Sequence, residues 1–294
     1  MNLHLDRNHL KIIALAAMTF DHTAMFFPDR FPIYFHWIGR LAAPIFLFLC
    51  AESITYTTNK FMYILRLYLA SVIMGLIQSF TQIEINIFRS IFMTAVSCCI
   101  IAIHNADKKN AAKFASLFLI WQIATSVVVL YVNQHSSAVM EDFAAFLLPA
   151  LLGNCLNLDG GIFYVILGIV FYVFKNHRQN LALSFCGLTA IHGFCNTTHY
   201  IFSLLHRIKL VPVIGSEFSD ALEFFFELGM GPLMGIGESA LYVNYSWMMI
   251  FSLPIILNYK SRKIRYGRFI KYFFYFYYPV HILLLYFLAN RLIV

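Results

Sequence analysis

The sequence has few charged residues. Aspartate, glutamate, lysine and arginine make up 12% of its 294 residues, whereas 61% are hydrophobic. Soluble globular domains carry about a quarter charged residues, because they need a polar surface that faces water. The composition therefore excludes a soluble globular domain and predicts an integral membrane protein whose outer surface contacts lipid.

The sequence also lacks the motifs of soluble enzymes and metal sites. Its six cysteines form no CxxC pair and show no metal-ligand spacing, so we predict inert core cysteines and no bound metal. No GxSxG, Walker, HExxH or Rossmann pattern occurs in a credible context. A net charge of +7 can indicate nucleic-acid binding, but here the basic residues fall mostly between apolar segments. We therefore predict the lipid bilayer as a partner and no nucleic acid.

Long apolar runs predict the architecture. A helix needs about 20 apolar residues to cross a hydrocarbon core of about 30 Å, and runs without strict alternation indicate helices rather than barrel strands. We predict one all-α polytopic bundle over residues 1–294. Two short apolar segments, 143–153 and 220–238, are predicted as re-entrant or surface helices. About nine spans are predicted, at residues 9–27, 37–57, 61–80, 88–104, 114–132, 160–175, 181–205, 241–258 and 272–291.

The basic residues predict the orientation of this bundle. If the N-terminus is cytoplasmic, most of the 21 lysine and arginine residues fall in inner loops or at inner helix ends. The densest basic segment, residues 260–271, then lies in the last inner loop. The sequence therefore predicts a multi-pass protein with a cytoplasmic N-terminus.

Ionisable residues inside the spans are the informative positions, because charge within a bilayer is costly and is often retained for function. Asp21 and His22 lie in the outer half of the first span, and Lys11 shares a helix face with His22. They can form a general base with its orienting acid or a structural ion pair. His36 and Arg40 stand at the mouth of the second span, where Arg40 can pair with Asp21 or bind an anion. Taken alone, an interfacial histidine such as His36 is more often a solvated residue.

Other spans carry further candidates. Glu52 can bind a ligand or pair with Arg66 of the next span, and the pair is the favoured reading. His281 follows Pro279 near the middle of the last span, so we predict that it faces the bundle interior. One further span carries three polar residues: His192, Asn196 and His199. They can line a polar cavity or form hydrogen bonds between helices, and we favour the interhelical hydrogen bonds.

Several segments, in order along the chain, resemble the TraX family. Residues 10–22 (LKIIALAAMTFDH) are similar to the family's opening helix, which ends in Asp-His. Residues 38–52 (IGRLAAPIFLFLCAE) are similar to its G-R-x-A-x-P-x-F run and the Glu that follows. Arg66 matches the Arg of its YLLRL stretch, and Asp159-Gly160-Gly161 stands where the family often has Asp-Tyr-Gly. Residues 271–287 (KYFFYFYYPVHILLLYF) resemble its closing FYxxYPxHL helix.

This resemblance implies an acetyltransferase. Named TraX proteins acetylate the N-terminal amine of conjugative pilin, and the family is similar to larger transmembrane acyltransferases such as the heparan N-acetyltransferase. It implies a bacterial inner-membrane enzyme that takes acetyl-CoA from the cytosol and acylates a peptide, glycan or small-molecule acceptor. The resemblance lapses at residues 133–158 and 206–240, so the acceptor can differ from the family's named one.

The site residues follow from the polar positions and the resemblance together. His36, followed by Trp37, resembles the context of a central histidine in the heparan enzyme. The catalytic candidates are His36, His22, Asp21 and His281. The candidates for substrate binding are Arg40, Glu52, Arg66 and Trp37, and those for the donor phosphates are Lys11, Arg262, Lys263 and Lys271. The rival predictions are a proton-coupled transporter or flippase and a non-enzymatic assembly partner of a pilus or secretion system.

Overall fold

The computed structural model describes residues 5–137, 140–197, 199–212, 215–226, 242, 244–260 and 268–292. Within these residues every regular element is a helix. A π-helical turn at Phe143–Leu147 and a 3-10 helix at Ser246–Phe251 accompany the α-helices. The α-helices are Arg7–Phe26 (α1), Tyr34–Gly39 (α2), Ala42–Tyr56 (α3), Lys60–Thr81 (α4), Ile87–Ala106 (α5), Lys108–His135 (α6), Leu148–Leu152 (α7), Gly161–Val173 (α8), Arg178–Thr197 (α9), His199–Lys209 (α10), Gly215–Phe226 (α11), Ser252–Leu257 (α12) and Arg268–Leu292 (α13).

Five helical segments of the described chain are long and apolar enough to cross a membrane. They agree with five of the predicted spans and consist of Tyr34–Tyr56, Lys60–Thr81, Ile87–Ala106, Lys108–His135 and Tyr272–Leu292. Most of the large apolar side chains of α6 are exposed, as expected for a helix that faces lipid. The protein is thus all-helical and has the character of a membrane protein.

The count of nine spans is not confirmed. α1 and α9 have 20 residues each, but because of their polar side chains they are not among the five segments that are apolar enough to cross a membrane. The predicted span 160–175 contains α8, whose 13 residues extend only about 20 Å. The predicted span 181–205 falls on two helices, α9 and α10, and the span 241–258 on the 3-10 helix and α12.

The two short apolar segments have different outcomes. The first becomes the π-helical turn and α7, which together cover Phe143–Leu152 and pack against α4 and α6. Ten residues rise about 15 Å, so the prediction of a short helix rather than a span is confirmed here. The second segment overlaps the end of α11, and its residues 227–238 lie outside the described residues.

The core forms where α1, α3, α5 and α8 pack on one another, with α4 and α13 alongside. Large side chains that meet there, such as Leu10, Ile45 and Phe171, are almost completely buried. In a bilayer such contacts stabilise the bundle through close packing rather than through removal from water. The six cysteines are free thiols, and four of them are buried, as predicted.

Two prolines shape the helices that carry candidate site residues. Pro44 has no N–H to donate to the carbonyl group of Arg40, and the chain leaves the α-helix at Arg40 and Leu41, between α2 and α3. Pro279 lies inside α13 and likewise leaves the carbonyl of Tyr275 without its helical partner. The second span is therefore broken beside Arg40, and the last span lacks one helical hydrogen bond at Pro279, two residues before His281.

One end of the bundle gathers basic residues. Leu5 pairs with the chain around Tyr259 through backbone hydrogen bonds of 3.3 and 2.9 Å, so the N-terminal segment lies beside Lys260. The ammonium group of Lys175 donates to Thr55 Oγ1 at 3.0 Å. The charges of Arg7 and Lys175 both act on Glu52. Lys175, Lys260 and Arg7 therefore share the end at which the sequence predicts the cytoplasm.

Candidate active site

A polar cavity lies inside the bundle among α1, α3, α8 and α13. Its volume is about 80 Å³, and apolar side chains such as Met18 and Phe46 form part of its wall. Its polar lining brings together distant parts of the sequence: Asp21, His22, Arg40, Asp159, Tyr164 and Tyr278. Three of the predicted site residues therefore line one space: Asp21, His22 and Arg40.

Asp21 joins two of the predicted residues across helices. The Nδ1–H of His36 donates to Asp21 Oδ1 at 2.6 Å, and Arg40 Nη2 donates to Asp21 Oδ2 at 2.5 Å. The predicted pairing of Arg40 with Asp21 is thus present. Because the carboxylate can only accept, Nδ1 of His36 carries the hydrogen, and Nε2 of the neutral ring is left to take a proton. This is the geometry of a histidine base held by an acid.

A second histidine pair lies deeper in the bundle. His22 Nδ1 and His281 Nε2 are 2.7 Å apart, and the two rings stack with centroids 5.0 Å apart. His281 Nδ1 lies 3.0 Å from the carbonyl oxygen of Tyr277, which can only accept, so this nitrogen carries a hydrogen. In the neutral pair His281 Nε2 then accepts from the Nδ1–H of His22. Nε2 of His22, a residue that lines the cavity, is therefore left unprotonated.

The other predicted site residues lie away from the cavity lining. His36 reaches the cavity through Asp21 and stacks on Tyr245, with ring centroids 5.5 Å apart. Trp37 contacts Tyr242. Glu52 and Arg66, both in the described chain, do not form the predicted ion pair: Arg66 hydrogen-bonds Tyr275, and Glu52 is near the charges of Arg7 and Lys175. The pairing fails because α4 turns Arg66 toward α13.

The predicted donor-binding residues have separate outcomes. The ammonium group of Lys11 lies 4.2 Å from the ring centroid of Phe274, and Lys11 lines a second cavity of about 100 Å³. Arg262 and Lys263 lie outside the described residues. Lys271 falls within α13, and its side chain is outside the description. Asn196 Nδ2 lies 3.1 Å from His192 Nε2, but both residues belong to α9, so this contact is within one helix and the interhelical hydrogen bonding favoured for them stays a prediction.

Sequence reasoning gave Asp159 no role, although the structure places it in the cavity wall. Its segment, between α7 and α8, is fixed by Arg89, which donates to the carbonyl groups of Asn154, Leu156 and Asn157 at 3.3, 2.6 and 2.7 Å. Removal from bulk water raises the pKa of the Asp159 carboxyl to about 6, although Arg40 and Arg89 act to lower it. The signal in the sequence was an acid directly before two glycines at the start of an apolar run.

Replacing Arg89 by alanine is expected to destabilise the protein. Arg89 is 3% exposed, and the loss of its guanidinium group leaves three carbonyl groups without their donor. At roughly 1–3 kcal/mol for each unsatisfied buried group, we expect a loss of about 3 kcal/mol or more in the free energy of unfolding. Thermal unfolding in detergent measures it, with Arg30→Ala as the control because Arg30 is exposed. Equal melting temperatures for the two variants would contradict this role.

These contacts define a class of protein: a polytopic helical membrane protein with hydrogen-bonded acid–base pairs around a cavity in its bundle. The chain belongs to the TraX family, because the family described as TraX protein matches residues 6–289, nearly the whole chain. No curated protein and no solved structure matches the chain. Membership of this family fits a role in F-pilin processing by acetylation.

Proposed function

We propose that the protein is a membrane-embedded acyltransferase that moves an acetyl group from acetyl-CoA, or another acyl group from its CoA thioester, to an amine or hydroxyl acceptor. The main support is that Asp21 and His22 line one cavity and are hydrogen-bonded to His36 and His281, respectively. Acyl transfer needs a base that takes the acceptor's proton, and both pairs leave a histidine Nε2 free to do so. TraX membership supports the same reaction.

Each residue of the site has its own role in this proposal. His36 or His22 takes a proton from the acceptor as the new bond to the acyl carbon forms, and the thiolate of the donor leaves. Asp21 stabilises the positive charge that develops on His36, as a carboxylate hydrogen-bonded to the ring does. Arg40 is held by Asp21 and lines the cavity, so its remaining N–H groups can stabilise the oxyanion. Tyr164 and Tyr278 line the same space.

The donor enters, in this proposal, from the end of the bundle that carries Lys11. The second cavity contains Lys11 and the polar side chains of Ser53 and Tyr63, and Phe46 lines both cavities. A thioester arm that reaches past Phe46 would arrive beside His22. Lys11 would bind the phosphate groups of CoA, together with Arg262, Lys263 and Lys271 of the basic segment.

We further propose a bacterial inner-membrane location with the N-terminus in the cytoplasm, about nine spans and one domain. The gathering of Arg7, Lys175 and Lys260 at one end supports this orientation, because positive charge favours the cytoplasmic side. The donor would then come from the cytosol. The acceptor, a peptide, glycan or small molecule, would reach the cavity from the opposite face.

The decisive experiment measures acetyl-CoA binding and thiol release by the purified protein in detergent, beside His36→Ala and His22→Ala. We expect saturable binding by all three proteins, with thiol release reduced in at least one variant. If the folded wild type binds no acetyl-CoA at millimolar concentration, acetyl transfer is excluded. Solute transport by proteoliposomes without acyl-CoA would then identify the protein as a transporter.

A Gly39→Ala substitution is expected to lower thiol release at least tenfold. Any Cβ at this position would overlap the side chain of Asp21, so the carboxylate must move away from His36 and Arg40. The matched control is Gly187→Ala in α9, where an added Cβ meets nothing within 4 Å. The assay of thiol release compares the two variants directly. Equal activities would contradict the requirement for a tightly held Asp21.

A further inference from the structure

One face of α3 borders both cavities of the bundle. Its residues recur every three or four positions, so they form a single stripe along the helix: Ala42, Ala43, Phe46, Leu49, Cys50 and Ser53. The stripe as far as Phe46 borders the polar cavity, and from Phe46 onward it borders the second cavity, which contains Lys11. α1, α5 and α13 also contribute residues to both linings. The two cavities are therefore consecutive spaces between the same four helices.

Phe46 is placed between these two spaces. Among the lining residues that the structure describes, it alone borders both cavities. Its side chain is partly exposed, whereas those of Ile45 and Leu47 beside it are completely buried. This accessibility is in keeping with the two spaces that adjoin the ring. Phe46 is therefore the residue of α3 that keeps the cavities apart.

Both cavities are suited to hold water. Their volumes of about 80 and 100 Å³ leave room for roughly three waters each, at about 30 Å³ per water. Water in such a space needs polar partners. Asp21 and Arg40 supply them in the polar cavity, and the hydroxyl groups of Ser53 and Tyr63 supply them in the second. An apolar ring between two wet spaces stops water and ions, because the constriction itself stays dry.

We propose that Phe46 closes a single path through the bundle, of which the polar cavity and the second cavity are the two halves. The ring blocks water and protons between the halves. Rotation about its side-chain torsions would let an extended ligand, such as the arm of a CoA thioester, pass from one half to the other. The inference goes beyond the proposed function, because a polar path across a bilayer needs a barrier whether it serves acyl transfer or transport.

The test measures proton leak through the full-length protein in liposomes of phosphatidylethanolamine and phosphatidylglycerol that contain a pH-sensitive dye. A potassium gradient with valinomycin drives protons inward, and the rates of acidification are compared at equal protein density. We expect the wild type to match protein-free liposomes and Phe46→Ala to acidify about fivefold faster or more, since the dry constriction is lost. Phe46→Tyr keeps the ring and should remain tight.

A matched control separates the barrier from general loosening of the bundle. Phe48 lies on the same helix, is 5% exposed and packs edge to face on Phe171, with ring centroids 5.7 Å apart. It is not among the described lining residues of either cavity. Phe48→Ala therefore opens space in the core of α3 without joining the two halves, and its liposomes should remain tight.

The outcomes are decisive for Phe46 alone. A tight Phe46→Ala, an equal leak in Phe48→Ala or a leaky wild type would each overturn the barrier. No thioester is present in the measurement, so a leak confined to Phe46→Ala supports the barrier even if the protein consumes no acetyl-CoA. If Phe46→Ala does not fold, Phe46→Leu and Phe48→Leu repeat the comparison. Only Phe46→Leu should leak, and equal rates for these two variants would again overturn the barrier.

Discussion

Replacing Asp21 by asparagine is expected to reduce acyl transfer by about 10²–10⁴-fold, the range that a positioned acid–base group contributes. The asparagine keeps the shape of the side chain but loses its negative charge. It can no longer stabilise a positive charge on His36, and its amide group can donate to the ring instead of accepting from it. The rate of thiol release with a saturating acceptor measures the effect.

Stability and catalysis must be separated in this variant. Asp21→Asn leaves Arg40 with an uncompensated charge inside the bundle, which can cost about 3–5 kcal/mol in the free energy of unfolding. The double variant Asp21→Asn with Arg40→Met removes both charges and should recover stability without activity. Asp107→Asn, at the N-cap of α6, is the matched control, since asparagine caps a helix as well as aspartate. Full activity in the stable double variant would exclude the Asp21–His36 pair as the base.

The sequence predicted the helical class and the part of the site that polar residues mark within apolar runs. Asp21, His22 and Arg40 stand out because charge and imidazole are rare in such runs, and all three line the cavity. The neighbouring prediction for Glu52 and Arg66 failed although the reasoning was the same. Residue type shows that a partner is needed, whereas the rotation of a helix decides which partner is met.

The features that escaped prediction depend on backbone geometry. Asp159 reaches the cavity only because Asn157 and Gly160 adopt positive φ angles and Arg89 binds three carbonyl groups. No periodic pattern encodes such a segment. The span count is not confirmed for a related reason: α8 ends after 13 residues although the apolar run predicted a longer helix. Hydropathy measures whether a segment tolerates lipid, and it does not measure where the chain turns.

His22→Ala is expected to lower acyl transfer by about 10²–10⁴-fold as well, and His281→Ala by about tenfold. His22 lines the cavity proposed to hold the substrate, whereas His281 acts through His22 by accepting its Nδ1–H at 2.7 Å. The loss of one buried hydrogen bond is worth roughly 1–2 kcal/mol, or about tenfold in rate. His281→Gln should restore part of the activity, because its amide oxygen can accept the same hydrogen.

Because His281 acts through His22, the effects of replacing the two histidines are not expected to add. If His281 serves only to hold the tautomer of His22, the double variant His22→Ala with His281→Ala should be no slower than His22→Ala alone. NMR of the ¹⁵N-labelled histidines adds a direct measurement, since Nδ1–H and Nε2–H tautomers have different nitrogen shifts. His22 should be an Nδ1–H tautomer in the wild type and a mixture in His281→Ala. Additive losses with an unchanged His22 tautomer would instead place His281 in contact with the substrate.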